Sequence, residues 1–380
     1  MKQKVLALSL LAMAAAAHAQ SSVTLYGRID NGLQYETGIP GGHAFSATTG
    51  NWGCSWWGLT GSEDLGGGTK AIFQLESQIN TMNGSLEGPL FSRHATIGLT
   101  NDHYGTFKLG NLGAGEISQD SWGTDPQMMQ RYGISSLVRG RNWASTSNGF
   151  EYQTPTWGGL QFRGQYSLTN NPNGWNQGVA GAQGRTNGIE GTYTFGMGDF
   201  RVIYDEVRST DGTFDNVYAH SRSILAGGTL VFGPVRAYYG FQHLSAPDAT
   251  LATTGNANNG TLAAGISGAP TSVNHEWIGA VWQASAATAI STGIYHANAN
   301  NGNGNATLFT LGTTYNLSKR TFLYAEAAYI RNSSTSNLAM YDGGNWGAQN
   351  ATDSSGNATN SNPQYGHSQT GVMIGMMTQF

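Results

Sequence analysis

The chain has 380 residues, of which 11% carry a charge and 11% are aromatic, and its formal net charge is −4 at pH 7. Soluble domains average about 25% charged residues, and disordered chains are depleted in aromatics, so neither class fits. The negative balance, which deepens if Lys2 and Lys4 leave with a leader, argues against nucleic acid as a partner. Cys54 is the only cysteine, so no internal disulfide holds the fold.

The first residues predict export. The string "MKQKVLALSLLAMAAAAHAQ" has two lysines ahead of an apolar core from Val5 to Ala17, followed by small residues. This pattern is typical of a Sec signal peptide covering residues 1–19, with cleavage between Ala19 and Gln20. The apolar core is too short for a membrane helix, which needs about 20 residues. The rest of the chain, 20–380, is predicted to form one domain.

Most of the mature chain alternates between apolar and polar residues with the period of a half-buried strand. In "LQFRGQYSL", Leu160, Phe162 and Tyr166 share one face, while Gln161 and Arg163 share the other. The strings "FRVIYDE" and "VRAYYGFQ" repeat this pattern, and helical periodicity is nearly absent. The chain is therefore predicted to be all-β.

Seven short turns alternate with eight long polar loops, which predicts sixteen antiparallel strands. The first loop is expected from Glu36 to Asn51, and the longest early loop from Leu112 to Ser145. An even strand number with short and long connections in alternation is typical of outer-membrane β-barrels. The alternative is a secreted β-sandwich with an apolar inner face. The second face here carries Arg, Asp, Gln and Tyr in nearly every strand, which favours a transmembrane barrel with a water-filled lumen.

Several strings resemble the general diffusion porins of Gram-negative bacteria, in particular their β-proteobacterial branch. The resemblance implies a homotrimer of sixteen-stranded barrels with short periplasmic turns, long extracellular loops and a third loop folded into each pore. It also implies that the assembly machinery reads the terminal phenylalanine. The strings are "SSVTLYGRIDNGLQY", "GLTGSEDLGGGTKAIFQLE", "FSRHATIGLTNDHYGTFKLGN", "TYNLSKRTFLYAEAAYIRN" and the terminal Phe380.

The resemblance also implies where the pore is narrowest. The loop Leu112 to Ser145 stands in the place of the constriction loop, and its acids are expected to face basic residues of the barrel wall. Fixed opposite charges across a narrow throat orient dipolar solutes and favour one sign of ion. The expected acids are Glu116, Asp120 and Asp125, and the expected basic residues are Arg28, Arg93, Arg139 and Arg141.

The sequence departs from the family at four positions. Trp56 and Asn111 stand where the family commonly has arginine, and Met377 and Thr378 replace the usual basic and histidine residues before Phe380. Two wall charges are thus missing, so strong anion selectivity is not implied. Trp56 is a candidate throat aromatic, which would favour bulkier or partly apolar solutes if its side chain faces the lumen.

Enzyme motifs are absent from the sequence, which has no G-x-S-x-G elbow, no H-E-x-x-H pair and no EF-hand loop. The mature histidines are scattered singly, so no metal site is predicted. We expect a passive channel for ions and small hydrophilic solutes, with no cofactor. Its expected partners are further copies of itself, outer-membrane lipids and lipopolysaccharide. A substrate-selective porin with a throat binding site is the alternative, and a barrel enzyme or an adhesin is the rival from another class.

The chain ends on the apolar string "GVMIGMMTQF". An unpaired apolar strand would expose free backbone groups, whereas in a closed barrel the last strand pairs with the first. On that arrangement Val372, Ile374, Met376, Thr378 and Phe380 share one face. We therefore expect the terminus to be a seam of the barrel with Phe380 at the membrane interface.

Overall fold

The computed structural model describes most of residues 20–380. The predicted signal peptide, residues 1–19, lies outside the described residues, and so do Glu116 and Arg139. The described residues are 22–39, 42–114, 117, 120–128, 132–138, 141–143, 145–169, 184–254, 262–340 and 362–380.

Sixteen strands, most of them eight or more residues long, dominate the described part of the chain, as the alternation predicted. Branched and aromatic residues fill their outward positions, and glycine-containing turns separate them. The strands are β1 (Ser22–Ile39), β2 (Trp56–Gly66), β3 (Thr69–Asn80), β4 (His94–Asn101), β5 (Gly105–Asn111), β6 (Gly149–Gln153), β7 (Leu160–Ser167), β8 (Thr186–Phe195), β9 (Gly198–Val207), β10 (Arg222–Phe232), β11 (Val235–Ser245), β12 (Ser272–Gln283), β13 (Thr288–Ala299), β14 (Asn305–Asn316), β15 (Thr321–Asn332) and β16 (Gln369–Gln379).

The strands form a closed antiparallel barrel in which each strand pairs with the next along the chain. The last strand pairs with the first, from Arg28 opposite Gln379 to Thr37 opposite Thr370. Beyond this ladder the backbone N–H of Phe380 donates to the carbonyl of Gly27 at 3.1 Å, and the reverse bond is 3.2 Å. The chain terminus is therefore a paired seam, as expected from its apolar sequence.

The two faces of the barrel wall differ in chemistry. Along β1, Val23, Leu25 and Leu33 point outward and are exposed, whereas Asp30 and Gln34 point inward and are buried. The outward apolar band is the surface that lipid covers in a transmembrane barrel. No helix in the described ranges is long and apolar enough to cross a membrane.

The first hairpin is longer than the sequence predicted. The segment expected as a loop from Glu36 to Asn51 instead contains a strand, Gly42–Thr49, that pairs with the end of β1 from Ile39 back to Asn31. The expectation was wrong because polar strand residues were read as a loop. The chain then leaves the ladder over residues 50–55 and rejoins it as β2, which pairs with the start of β1. We call residues 50–55 the wall bulge.

The segment from Leu112 to Ser145, here called loop 3, folds into the barrel. It begins after β5, yet it reaches wall residues on the far side of the lumen. The indole N–H of Trp277 on β12 donates to the carbonyl of Thr124 at 2.6 Å. The side chain of Gln127 bonds to Thr310 at 3.0 Å and accepts from Ser291 at 2.7 Å. These bonds hold loop 3 against the inner wall.

Part of the barrel interior is apolar, which the sequence analysis did not predict. Ile134, Leu137 and Val138 form a short helical segment of loop 3 and are buried in one cluster with inward residues of β9–β16, including Leu308 and Ile330. Burying these side chains under loop 3 stabilises it by removing apolar surface from water. Loop 3 thus packs on the inner wall through both apolar contacts and polar anchors.

Candidate pore constriction

A cavity of about 310 Å³ lies between loop 3 and the inner wall formed by β1–β4 and β7. Several predicted site residues meet there. Two expected basic residues, one expected acid and the candidate aromatic line the cavity, namely Arg28, Arg93, Asp120 and Trp56. Trp56 therefore faces the lumen. The basic residues of the wall and the acid of loop 3 that were predicted to face each other thus line the same cavity.

Asp30 builds the wall side of this cavity. Its Oδ2 accepts hydrogen bonds from the backbone N–H groups of Trp52 and Gly53 at 2.7 and 2.8 Å. Its Oδ1 accepts from the hydroxyl of Tyr324 at 2.7 Å. The hydroxyl of Ser55 also bonds to the Asp30 backbone. The buried carboxylate thus fixes the wall bulge, because three donors converge on it.

The wall bulge positions Arg28. The guanidinium Nε donates to the carbonyl of Cys54 at 2.8 Å, and its Cζ lies 5.8 Å from the centre of the Trp56 ring. Gly53 allows this approach, because a Cβ there would lie 2.6 Å from Arg28 Nη2. Among the residues that the structure describes, Arg28 makes no ion pair with a carboxylate.

Arg93 is neutralised within the wall. Its Nε lies 3.3 Å from Oε2 of Glu76, and Oε1 of the same carboxylate accepts from the Tyr26 hydroxyl and the Gln74 side-chain amide. Strict alternation would place Arg93 on the outward face with Ile97. However, the backbone N–H of Arg93 donates to the carbonyl of Glu76, although the register partner of Glu76 is His94. This irregularity at the start of β4 turns the Arg93 side chain into the lumen, where its Cζ lies 5.7 Å from the Trp56 ring centre.

The loop side of the cavity carries Asp120. Its Oδ2 lies 3.0 Å from Arg163 on β7, and the carbonyl of Asp120 accepts from Arg201 on β9 at 2.9 Å. Arg163 and Arg201 were not among the predicted basic residues. The alternation in "LQFRGQYSL" and "FRVIYDE" places both on the polar face, so the signal was present in the sequence. Only the fold shows that loop 3 reaches these two strands.

Asp125 does not lie in the cavity, contrary to the expectation. It is 0% exposed and anchors loop 3 to the wall. Its carboxylate accepts from the backbone N–H groups of Gln127 and Ile134, both at 2.8 Å, and from the hydroxyl of Tyr295 at 2.5 Å. The Asp125 carboxylate therefore orders loop 3 and does not face the cavity.

Arg141 is also placed differently from the expectation. It is 2% exposed and forms an ion pair with Asp205 on β9. Its Nε donates to the hydroxyl of Ser221 at 2.9 Å, and its Nη2 donates to the carbonyl of the same residue at 2.8 Å. Its guanidinium is enclosed between loop 3 and the wall. The predicted residues Glu116 and Arg139 lie outside the described residues.

The chain matches one known family over most of its length. A model described as Gram-negative porin matches residues 6–335. The chain belongs to the Gram-negative porin family. An outer membrane porin protein of Bordetella pertussis is 31% identical, covering 87% of this chain and 95% of its own length. Outer membrane porin protein 32 of Delftia acidovorans is 28% identical over 100% of both chains.

Solved structures share the fold of this porin. The anion-selective porin from Comamonas acidovorans has a TM-score of 0.73 at 24% identity, covering 95% of this chain and 100% of that chain. A trimer form of in-vitro folded OmpT from Vibrio cholerae has a TM-score of 0.62 at 14% identity, covering 95% and 99%. Both likenesses concern the barrel architecture.

This porin lies in the outer membrane and forms a water-filled channel for the passive diffusion of ions and small hydrophilic solutes. The fold explains how. Closure leaves no free strand edge in the lipid, and the outward apolar face contacts the membrane. Loop 3 narrows the lumen on one side and leaves charged residues along the other. In the described ranges no group of three or more His, Cys, Asp or Glu residues is placed to hold a metal ion.

Proposed function

We propose that the charges of the constriction give this porin a modest preference for anions. The observation that carries the proposal is Arg28, which lines the cavity without an ion pair to any described carboxylate. Arg93 is balanced by Glu76, and Arg163 by Asp120. The described lining thus presents one positive charge without an ion-pair partner, which the buried Asp30 carboxylate offsets only in part. The guanidinium cannot lose this charge by titration.

The preference is modest because the throat is wet. Two unit charges about 8 Å apart interact by about 0.5 kcal/mol in water and by about 2 kcal/mol at an effective dielectric constant of 20. Mobile salt screens the interaction further. A single fixed arginine therefore biases the ion flux without blocking the opposite ion. The tryptophan at position 56 takes the place of a second wall charge.

The proposal is tested by charge reversal at Arg28. Arg28→Glu should shift the zero-current voltage across a salt gradient in planar bilayers toward the cation value. We expect the cation-to-anion permeability ratio to rise about fivefold, which corresponds to about 1 kcal/mol. The matched control is Arg320→Glu, which changes the net charge equally at an exposed turn between β14 and β15.

Two outcomes separate the role of Arg28 from a general charge effect. Equal shifts for Arg28→Glu and Arg320→Glu would show that overall charge sets the preference. An unchanged ratio in Arg28→Glu would overturn the role of Arg28. A channel that prefers cations before any substitution would overturn the anion preference itself.

We further propose that the mature chain begins at Gln20, assembles as a homotrimer and acts without catalysis. The lysine-flanked apolar leader supports cleavage after Ala19. The trimer form of OmpT, which shares the barrel fold, supports the assembly. Membership of a porin family supports transport as the activity. Mass spectrometry of the purified protein, and conductance steps arriving in groups of three, test the first two points. An intact leader or single isolated steps would overturn them.

A further inference from the structure

Four of the eight tryptophans in the described part of the chain line the throat cavity, namely Trp52, Trp56, Trp122 and Trp143. A passage for small hydrophilic solutes does not need aromatic walls, because water and inorganic ions gain little from an indole face. Loop 3 supplies two of these rings, and the wall supplies the other two. Rings from both sides therefore line one small space.

The two wall rings are held in place by their neighbours. Trp52 packs against Phe322 and Tyr324, with ring centres 5.2 and 5.7 Å apart, and its backbone N–H is bound by Asp30. Trp56 meets Tyr26 edge to face at 5.1 Å. Rings that are fixed before a solute arrives lose little conformational freedom on binding it. The two wall rings are thus held in place before a solute arrives.

The guanidinium of Arg28 lies beside these wall tryptophans. The Arg28 guanidinium lies against Trp56 and keeps Nη1 and Nη2 free of any hydrogen bond to a described residue. It is held from behind by the Cys54 carbonyl and the Gly53 backbone. Two parallel N–H groups of a guanidinium match the two oxygens of a carboxylate. The geometry therefore combines a carboxylate receptor with a surface for a flat ring.

We propose that the throat cavity binds planar aromatic carboxylates in transit, with the carboxylate on Arg28 and the ring between the tryptophans. This inference rests on the proposed function, since it assigns a solute class to the same anion-preferring throat. The cavity volume of about 310 Å³ lies at the lower end of the range for small-molecule sites, about 300–1,000 Å³. A single-ring acid suits that size. A neutral sugar would use the rings but leave Arg28 unused.

The test is current block in single channels with probes that separate the two contacts. Sodium benzoate has both a flat ring and a carboxylate. Sodium cyclohexanecarboxylate keeps the charge and size but has a puckered ring, and benzamide keeps the flat ring without the charge. We expect the half-blocking concentration of benzoate to be about tenfold lower than that of either probe, as stacking and ion pairing contribute on that scale.

The variants address the ring and the charge separately. Trp56→Leu should bring benzoate and cyclohexanecarboxylate to within about twofold of each other, and Trp56→Phe should restore most of the difference. Arg28→Gln should weaken both carboxylates and leave benzamide unchanged. Trp157→Leu is the matched control, because Trp157 is exposed in the turn before β7 and does not line the cavity.

The outcomes distinguish this inference from the proposed function. A channel that conducts salt with an anion preference but treats benzoate and cyclohexanecarboxylate alike overturns the aromatic site only. Equal loss of discrimination in Trp56→Leu and Trp157→Leu also overturns it. A channel without anion preference overturns the proposed function, and with it this inference. Benzoate discrimination that Trp56→Leu removes, and that Trp157→Leu keeps, supports the inference.

Discussion

Two arginines inside the barrel have opposite surroundings. Arg28 lines the cavity, and its guanidinium rests on Trp56. Arg141 does not, because Asp205 and Ser221 enclose its guanidinium between loop 3 and β9. Arginine keeps its charge in either place. The difference between the two arginines therefore comes from burial: Arg28 lines the cavity, whereas Arg141 is enclosed between loop 3 and the wall.

Arg141→Met should therefore change stability and leave selectivity unaltered. The substitution leaves the Asp205 carboxylate buried without its ion-pair partner, which costs about 3–5 kcal/mol. We expect a lower temperature for loss of the folded band in unheated gel electrophoresis, and an unchanged zero-current voltage. Asp205→Leu added to Arg141→Met should recover most of the loss. A shifted voltage with normal heat resistance would contradict this role.

At the scale of elements, loop 3 depends on a few anchors for its inward position. Asp125 receives two backbone N–H groups of the loop and the hydroxyl of Tyr295 on β13. Hydrogen bonds to a charged group contribute about 1.5–3 kcal/mol each. The apolar cluster around Leu137 supplies a second attachment. The width of the pore thus depends on contacts far from its lining.

Removing the Asp125 anchor should widen and loosen the throat. Asp125→Ala deletes the acceptor for all three donors, so we expect a larger single-channel conductance and more open-channel noise. Tyr295→Phe is the graded control, because it removes one of the three bonds, at about 1.5–3 kcal/mol. Its effect should be smaller and in the same direction. Conductance and noise equal to the unmodified channel in Asp125→Ala would contradict the anchor.

The elements were predicted unevenly for a physical reason. Strands such as β7 and β9 alternate cleanly, so their residues were assigned to the correct faces. The extra strand Gly42–Thr49 was missed, because its small and polar residues resemble a loop and only its pairing with β1 extends it. The family resemblance placed Arg93 on the pore wall, whereas strict alternation would have turned it outward, since its inward position depends on the start of β4 opposite Glu76.

At the scale of the whole molecule, closure of the barrel depends on close approach at the seam. A Cβ at Gly27 would lie 2.6 Å from the carbonyl oxygen of Trp56 and 2.7 Å from the ring of Phe380. The neighbouring strand and the terminal ring occupy the space that a side chain would need. Glycine at this position lets β1, β2 and the terminus meet.

Gly27→Ala should impair closure. Overpacking of this kind costs about 1–3 kcal/mol, so we expect a lower yield of heat-resistant barrel on refolding from urea into detergent. The matched control is Gly164→Ala on β7, where a Cβ would meet no heavy atom within 4 Å. Equal yields for the two variants would show that the seam tolerates a methyl group.

The sequence by itself determined the barrel, its sixteen strands, the seam at Phe380 and the loop that enters the pore. Alternation with period two and the family motifs are local along the chain, so they can be read without the fold. The family motifs placed Arg28, Arg93 and Asp120 at the throat, and tertiary structure alone decided where the other charges lie. Asp125 and Arg141 became anchors and Arg163 joined the throat, because burial depends on which distant strands loop 3 contacts. The same packing turned Trp56 toward Arg28, which no spacing in the sequence specifies.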